Sequence, residues 1–167
     1  KDMITHIYCE GCAPYGWKNQ GRWINYVSFN ASSDPEAMKI VLTSGIPITI
    51  IPSRMGRELC NLNEEQVFEI RDLNDVGHFL FEMYNGYWEH GYPDRRIALN
   101  DTCGVLIMRF PELFKTKKAF FEVDTNEQPG KTTITFDRKG NINYAYKVNR
   151  KKLHKAFINA IKKLDWI

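Results

Sequence analysis

The side chains able to do chemistry in this chain are few and mostly solitary. Its four cysteines are Cys9, Cys12, Cys60 and Cys103. Cys9-Glu10-Gly11-Cys12 has the C-x-x-C spacing used in disulfide exchange or in one knuckle of a zinc site. A structural zinc site pairs two such knuckles, or one knuckle with two closely spaced histidines. The sequence has neither, so plain thiols are expected, with Cys60 and Cys103 buried among apolar neighbours. This cysteine usage suits a reducing, cytoplasmic compartment. Among the histidines, His78 falls beside an apolar helical stripe and reads as packed or solvated. His90 lies in a loop and could serve as an acid only with a partner at hand. At element boundaries stand single oxygen-bearing residues such as Asn30, Asp34, Asn100 and Asp101. Their ordinary roles are capping helices and closing turns.

The elements that would position these residues follow from periodicity. Ile4 to Glu10 reads as a short buried strand that turns at Gly11. Residues 13 to 33 show little periodicity and many Gly, Asn and Ser, and read as a long loop. Asp34-Pro35-Glu36-Ala37 is a helix start: Asp34 caps, Pro35 suits the first helical position, and Glu36 meets the positive helix end. Ala37, Ile40, Val41 and Ser44 share one face, and Gly45 ends that helix. Pro47 to Pro52 is a continuous apolar run, as in a strand buried on both faces. A helix followed by such a strand predicts a parallel α/β sheet.

Further along, Asn63-Glu64-Glu65-Gln66 has the pattern of a capping box. Asn74 or Asp75 opens a longer helix with Val76, Phe79, Leu80, Met83, Tyr84, Tyr87 and Trp88 on one stripe. Asn100-Asp101 opens another, which Pro111 stops. Phe120 to Val123, Thr132 to Phe136 and Tyr144 to Val148 read as strands of an antiparallel meander, with turns at Gly130 and 137–141. Asn149 caps a last helix whose apolar face is Leu153, Phe157, Ala160, Ile161 and Leu164. No repeat, low-complexity segment or linker divides the chain. The reading is therefore one α/β domain over residues 1–167, a Rossmann-like, mostly parallel sheet with a small antiparallel C-terminal meander.

The formal net charge of +3 is too small and too dispersed for a nucleic-acid partner. The densest basic run, Arg150 to Lys152 with Lys155, Lys162 and Lys163, alternates with apolar residues as a solvated helix face does. No apolar stretch approaches the length of a membrane span, so no membrane partner is expected.

Three stretches, in order, resemble the inosine-uridine nucleoside hydrolase family. The first is Asn30-Ala31-Ser32-Ser33-Asp34-Pro35-Glu36-Ala37. In that family a Glu-aromatic-Asn triplet precedes Asp-Pro-Glu-Ala at this spacing. The second is Ser44-Gly45-Ile46-Pro47-Ile48-Thr49. The third is Leu99-Asn100-Asp101, then a helix, then Pro111-Glu112-Leu113, where the family usually has His-Asp. The tail with Val123 and Gly130-Lys131-Thr132 also suits the family's C-terminal end.

The resemblance implies hydrolysis of the N-glycosidic bond of ribonucleosides to ribose and free base, with calcium as cofactor and a ribonucleoside as substrate. By position, Asp101 matches a calcium-ligating aspartate, Asn30 an asparagine that bonds ribose, Ser28 a glutamate that contacts the sugar, and Asn100 the histidine that protonates the leaving base. Two of these depart from the family pattern. Ser28 is not a carboxylate, and the amide of Asn100 donates no proton at neutral pH. Tyr84, Tyr87, Trp88 and Tyr92 could instead wall the base. The family's opening Asp-x-Asp-x-x-x-Asp-Asp is absent, and the chain opens at Lys1 directly into strand. The expectation is the C-terminal half of the family's domain, inactive or incomplete alone, which associates with itself or with the missing N-terminal half. The alternative is a non-catalytic nucleoside- or ribose-binding domain on the same fold.

Overall fold

The computed structural model describes residues 3–11, 16–20, 22–89 and 96–164. Among the described residues, seven strands form one sheet: β1 (Ile7–Glu10), β2 (Gly16–Asn19), β3 (Arg22–Asn25), β4 (Ile48–Ile51), β5 (Phe114–Val123), β6 (Thr132–Phe136) and β7 (Ile142–Val148). Their order is β1-β4-β7-β5-β6-β3-β2. β1, β4 and β7 run parallel, with Ile7 opposite Ile48 and Ile48 opposite Ile142. The other pairs are antiparallel. The helices are α1 (Phe29–Ser33), α2 (Pro35–Leu42), α3 (Glu64–Arg71), α4 (Asp75–Glu89), α5 (Thr102–Arg109) and α6 (Arg150–Ile161). A π-helical turn, Met55–Leu59, follows β4. The class is α/β with a parallel core, as the helix-then-buried-strand pattern predicts.

β4 explains why its sequence is apolar throughout. All four of its residues are buried. Ile48 and Ile50 face a cluster with Leu42, Ala119, Phe121, Ile134 and Ile142. Ile51 faces the opposite side, among Met55, Leu62, Val67, Cys103 and Ile107. A strand with helices over both faces has no polar side to show, so alternation disappears.

The capping chemistry anticipated from sequence is largely present. The Asp34 carboxylate accepts from the Ala37 amide, and Asn63 and Gln66 complete a capping box. Asn149 caps α6, and the Asn74 side chain accepts from the Gly77 amide.

Three readings need correction. The segment read as a loop over 13–33 contains β2, β3 and α1, and β3 pairs with β6. Four-residue strands are too short to display a period. β5 begins at Phe114 rather than Phe120, because Lys115, Lys117 and Lys118 are exposed and disguise its first half. The α4 stripe is core on one side only: Leu80, Tyr84 and Trp88 pack inward, whereas Phe79, Met83 and Tyr87 are about half exposed.

The C-terminal strands also join the sheet by a route that alternation does not reveal. β5 lies between β6 and β7, and β7 continues into the parallel core. The β6–β7 turn crosses the backbone of β5. A Cβ at Gly140 would lie 2.3 Å from the Ala119 carbonyl carbon, so only glycine fits there.

Ile50 is wholly buried and Ile40 is 70% exposed. Ile50→Ala is therefore expected to cost about 2–5 kcal/mol and Ile40→Ala under about 0.5 kcal/mol, as read by urea denaturation.

Candidate active site

The carboxyl ends of β1 and β4 open into a cleft of about 500 Å³. It is lined by Glu10, Val27, Ser28, Phe29, Asn30, Ser53, Arg57, Asn100 and Asp101. In open parallel sheets this end collects ligands, because loops from several strands converge there. All four residues singled out by sequence, Ser28, Asn30, Asn100 and Asp101, line this one cleft.

Each arrives by a distinct local device. Ser28 is the N-cap of α1, and its hydroxyl oxygen accepts from the Ala31 amide at 3.2 Å. That bond uses one of the oxygen's two lone pairs and leaves the other, with the hydroxyl proton, for a ligand. Asn30 sits in the first turn of α1 and donates its side-chain amide to Glu10. Asp101 immediately precedes α5 but makes no side-chain cap bond. Its carboxylate is exposed and faces the cleft instead of closing the helix. Asn100 is held by the π-helical turn: a Cβ on Gly56 would fall 2.4 Å from Asn100 Oδ1 and 2.6 Å from its Cα. Asn100 Oδ1 is buried and has no hydrogen-bond partner among the described residues.

The sequence reading missed Glu10, which occupies the centre of this network. Its carboxylate ends β1 and accepts hydrogen bonds from Ser53 Oγ, just beyond β4, and from Asn30. Desolvation is the largest influence on it and raises its pKa above the ordinary carboxylate value. The Ser53 and Asn30 hydrogen bonds oppose the rise, nearby Asp101 adds to it, and Arg57 opposes it. Glu10 was visible only as filler inside the C-x-x-C. The better signal was its place as the last residue of a buried strand, where a polar side chain points into the ligand end of the sheet.

The cysteine expectation holds where it can be followed. Cys9, Cys60 and Cys103 are free thiols. Cys103 lies under the cleft, and a hydrogen bond with Cys60, followed by burial, keeps its thiol protonated. Cys12, His90 and Tyr92 lie outside the described residues. Tyr84, Tyr87 and Trp88 are not among the residues lining the cleft, so α4 does not wall it. Tyr84 and Trp88 pack instead against the core beneath α3 and α6.

Calcium requires about six to eight oxygen ligands. Among the described residues no three His, Cys, Asp or Glu side chains converge to hold a metal ion. Asp101 and Glu10 supply carboxylates to the cleft, but these residues do not by themselves fit a calcium ion.

The raised pKa of Glu10 has a stability consequence. A carboxyl whose folded pKa exceeds its unfolded value contributes fully below the unfolded pKa, and that contribution is lost as pH rises through the folded one. Glu10→Gln removes this cost. The melting temperature of the variant relative to wild type is expected to climb as pH rises from below about 4.5, the ordinary glutamate value, and to level off above the folded pKa. A difference that is flat with pH would contradict the burial effect.

The family model for "Inosine-uridine preferring nucleoside hydrolase" matches residues 1–155. The chain is 28% identical over 142 residues to the non-specific ribonucleoside hydrolase RihC of Shigella boydii, covering 77% of this chain and 45% of that protein. It is 27% identical over 160 residues to the Escherichia coli protein of the same name, covering 86% and 51%. Among solved structures, a purine-preferring ribonucleoside hydrolase from Gardnerella vaginalis superposes with a TM-score of 0.69 at 24% identity, covering 83% of this chain and 46% of that one. An inosine-uridine preferring nucleoside hydrolase from Bacillus anthracis gives 0.70 at 18% identity, covering 95% and 51%. The chain thus spans about half the length of the curated relatives it matches. With the family model matching all but the last twelve or so residues, and with the same fold in the solved structures, the chain belongs to the inosine-uridine preferring nucleoside hydrolase family.

Proposed function

We propose that this chain forms one side of the catalytic cleft of a ribonucleoside N-ribohydrolase, which releases ribose and free base. The observation that carries the reading is the convergence of Asn30 and Asp101, far apart in sequence, in one cleft at the carboxyl ends of parallel strands. Asn30 and the Ser28 hydroxyl bind ribose. Asn100 hydrogen-bonds the departing base without protonating it. Cleavage builds positive charge on the ribosyl group, and the carboxylates of Asp101 and Glu10 face the space where it would form. Asp101 would also supply one carboxylate ligand to a calcium ion, which would need its other oxygen ligands from outside this chain. The product classes suit nucleoside salvage, and the free thiols suit a reducing, cytoplasmic setting. No helix among the described residues is long and apolar enough to cross a membrane.

A second reading, a nucleoside-binding domain without catalysis, draws on the loss of an ionisable group at Asn100 and at Ser28. The two separate experimentally. The intact polypeptide, with inosine or uridine and calcium, is expected to release ribose in a reducing-sugar assay. Asp101→Asn should lower kcat/KM by about a hundredfold or more. Nucleoside binding by calorimetry without any release would favour the second reading. Robust turnover by residues 1–167 alone would contradict an incomplete site.

The sheet also offers a docking edge. β1 pairs with β4 and, among the described strands, with no other. An unpaired parallel edge is a template for another strand. The proposed occupant is a parallel strand from the half of the family domain that this chain lacks. Expressed alone, residues 1–167 should self-associate in multi-angle light scattering. Co-expression with the remaining half should give a one-to-one complex. A monodisperse monomer that ignores that half would remove the proposal.

A further inference from the structure

Among the described residues, the cleft's charged acceptors for a ligand's hydroxyl protons are the carboxylates of Glu10 and the exposed Asp101, and Glu10 is the one that neighbouring side chains hold in place. The neutral Ser28 oxygen accepts once from the α1 backbone and keeps one lone pair. Asn100 Oδ1 is buried against Gly56 and turned away from solvent. Glu10 is different. An ionised carboxylate has about four acceptor positions. Asn30 occupies one on Oε2 and Ser53 one on Oε1. Each oxygen keeps a further lone pair, and the residue is half-buried in the cleft wall. Its geometry is overdetermined: β1 supplies the backbone, Asn30 holds one oxygen, and the segment after β4 holds the other. A carboxylate fixed in this way loses little entropy when it takes a ligand hydroxyl, and charge-assisted bonds of this kind are roughly twice as strong as neutral ones.

We propose that Glu10 is the sugar-selecting residue of the cleft: its carboxylate accepts hydrogen bonds from the hydroxyls of a ribose-bearing ligand while holding Asn30 in place to make its own. The inference rests on the nucleoside reading above and adds to it the group that distinguishes a ribosyl ligand from a bare base. A ligand without hydroxyl donors leaves the two free lone-pair positions desolvated and unpaired, which penalises it.

The test is calorimetric titration of the intact polypeptide with inosine, ribose and hypoxanthine. Glu10→Gln keeps the shape and an acceptor oxygen but loses the charge. It is expected to weaken inosine and ribose about ten- to a hundredfold and to leave hypoxanthine unchanged. Glu10→Ala, which also releases Asn30, should lose more for the two sugars. Wild-type protein carrying 13C-labelled glutamate supplies a measurement that requires no variant to fold. The Glu10 carboxyl resonance should move on adding ribose. Unchanged inosine affinity in Glu10→Gln, or a Glu10 resonance unmoved at saturating ribose, overturns the assignment and leaves the nucleoside reading intact. Failure of the wild-type protein to bind either inosine or ribose removes both.

Discussion

The Glu10 carboxylate is the point through which the cleft is tied together. It sits at the end of β1, takes a hydroxyl bond from beyond β4, and takes an amide bond from α1. Three segments that are separate in sequence are thereby set at fixed distances around one negative charge. Burial makes that charge costly, and the hydrogen bonds offset the cost only in part, so the carboxyl titrates above its ordinary value. An isolated strand end could not hold such a group. It is held because β1 and β4 are registered in parallel and β4 is locked between two apolar clusters.

The rest of the site reflects where polar atoms are spent. Ser28 gives its oxygen to the backbone of α1, so the helix carrying Asn30 begins where it does. Asp101 stands at the start of α5 yet leaves the helix end uncapped. A cap bond is ordinarily worth about 1 kcal/mol. Forgoing it keeps the carboxylate in the cleft, an arrangement that stability alone does not favour. Asn100 is pinned by close approach of the Gly56 backbone, and its side-chain oxygen Oδ1 has no hydrogen-bond partner among the described residues. Unpaired buried acceptors are uncommon in native proteins and concentrate where structure yields to function.

The cleft is also one-sided. Its described walls come from β1, α1, the segment after β4 and the start of α5, and among the described strands β1 is the sheet's edge. The chain spans about half the length of the curated relatives it matches, and among the described strands β1 is the sheet edge beside the cleft.

The sequence by itself determined the elements whose signals are local. The caps at Asp34, Asn63 and Asn149 depend on a side chain and an amide three residues away, and β4 announces itself through continuous apolar character. The ordered motifs around Asn30, Ser44 to Thr49 and Asp101 pointed to the family and to the cleft residues, because those residues sit at boundaries that local patterns mark. The tertiary structure alone decided what depends on contacts distant in sequence. The strand order, in which the chain leaves β6, crosses β5 and sets β7 between β5 and β4, is permitted by the glycine at 140 where the turn meets the β5 backbone. The β2–β3 hairpin is anchored by β6 more than a hundred residues later, and α4 turns half its apolar stripe outward. Glu10 acquires its partners, its burial and its altered acidity only when Asn30 and Ser53 are brought to it, because desolvation and charge pairing are properties of a place in space and leave no period or motif in a chain.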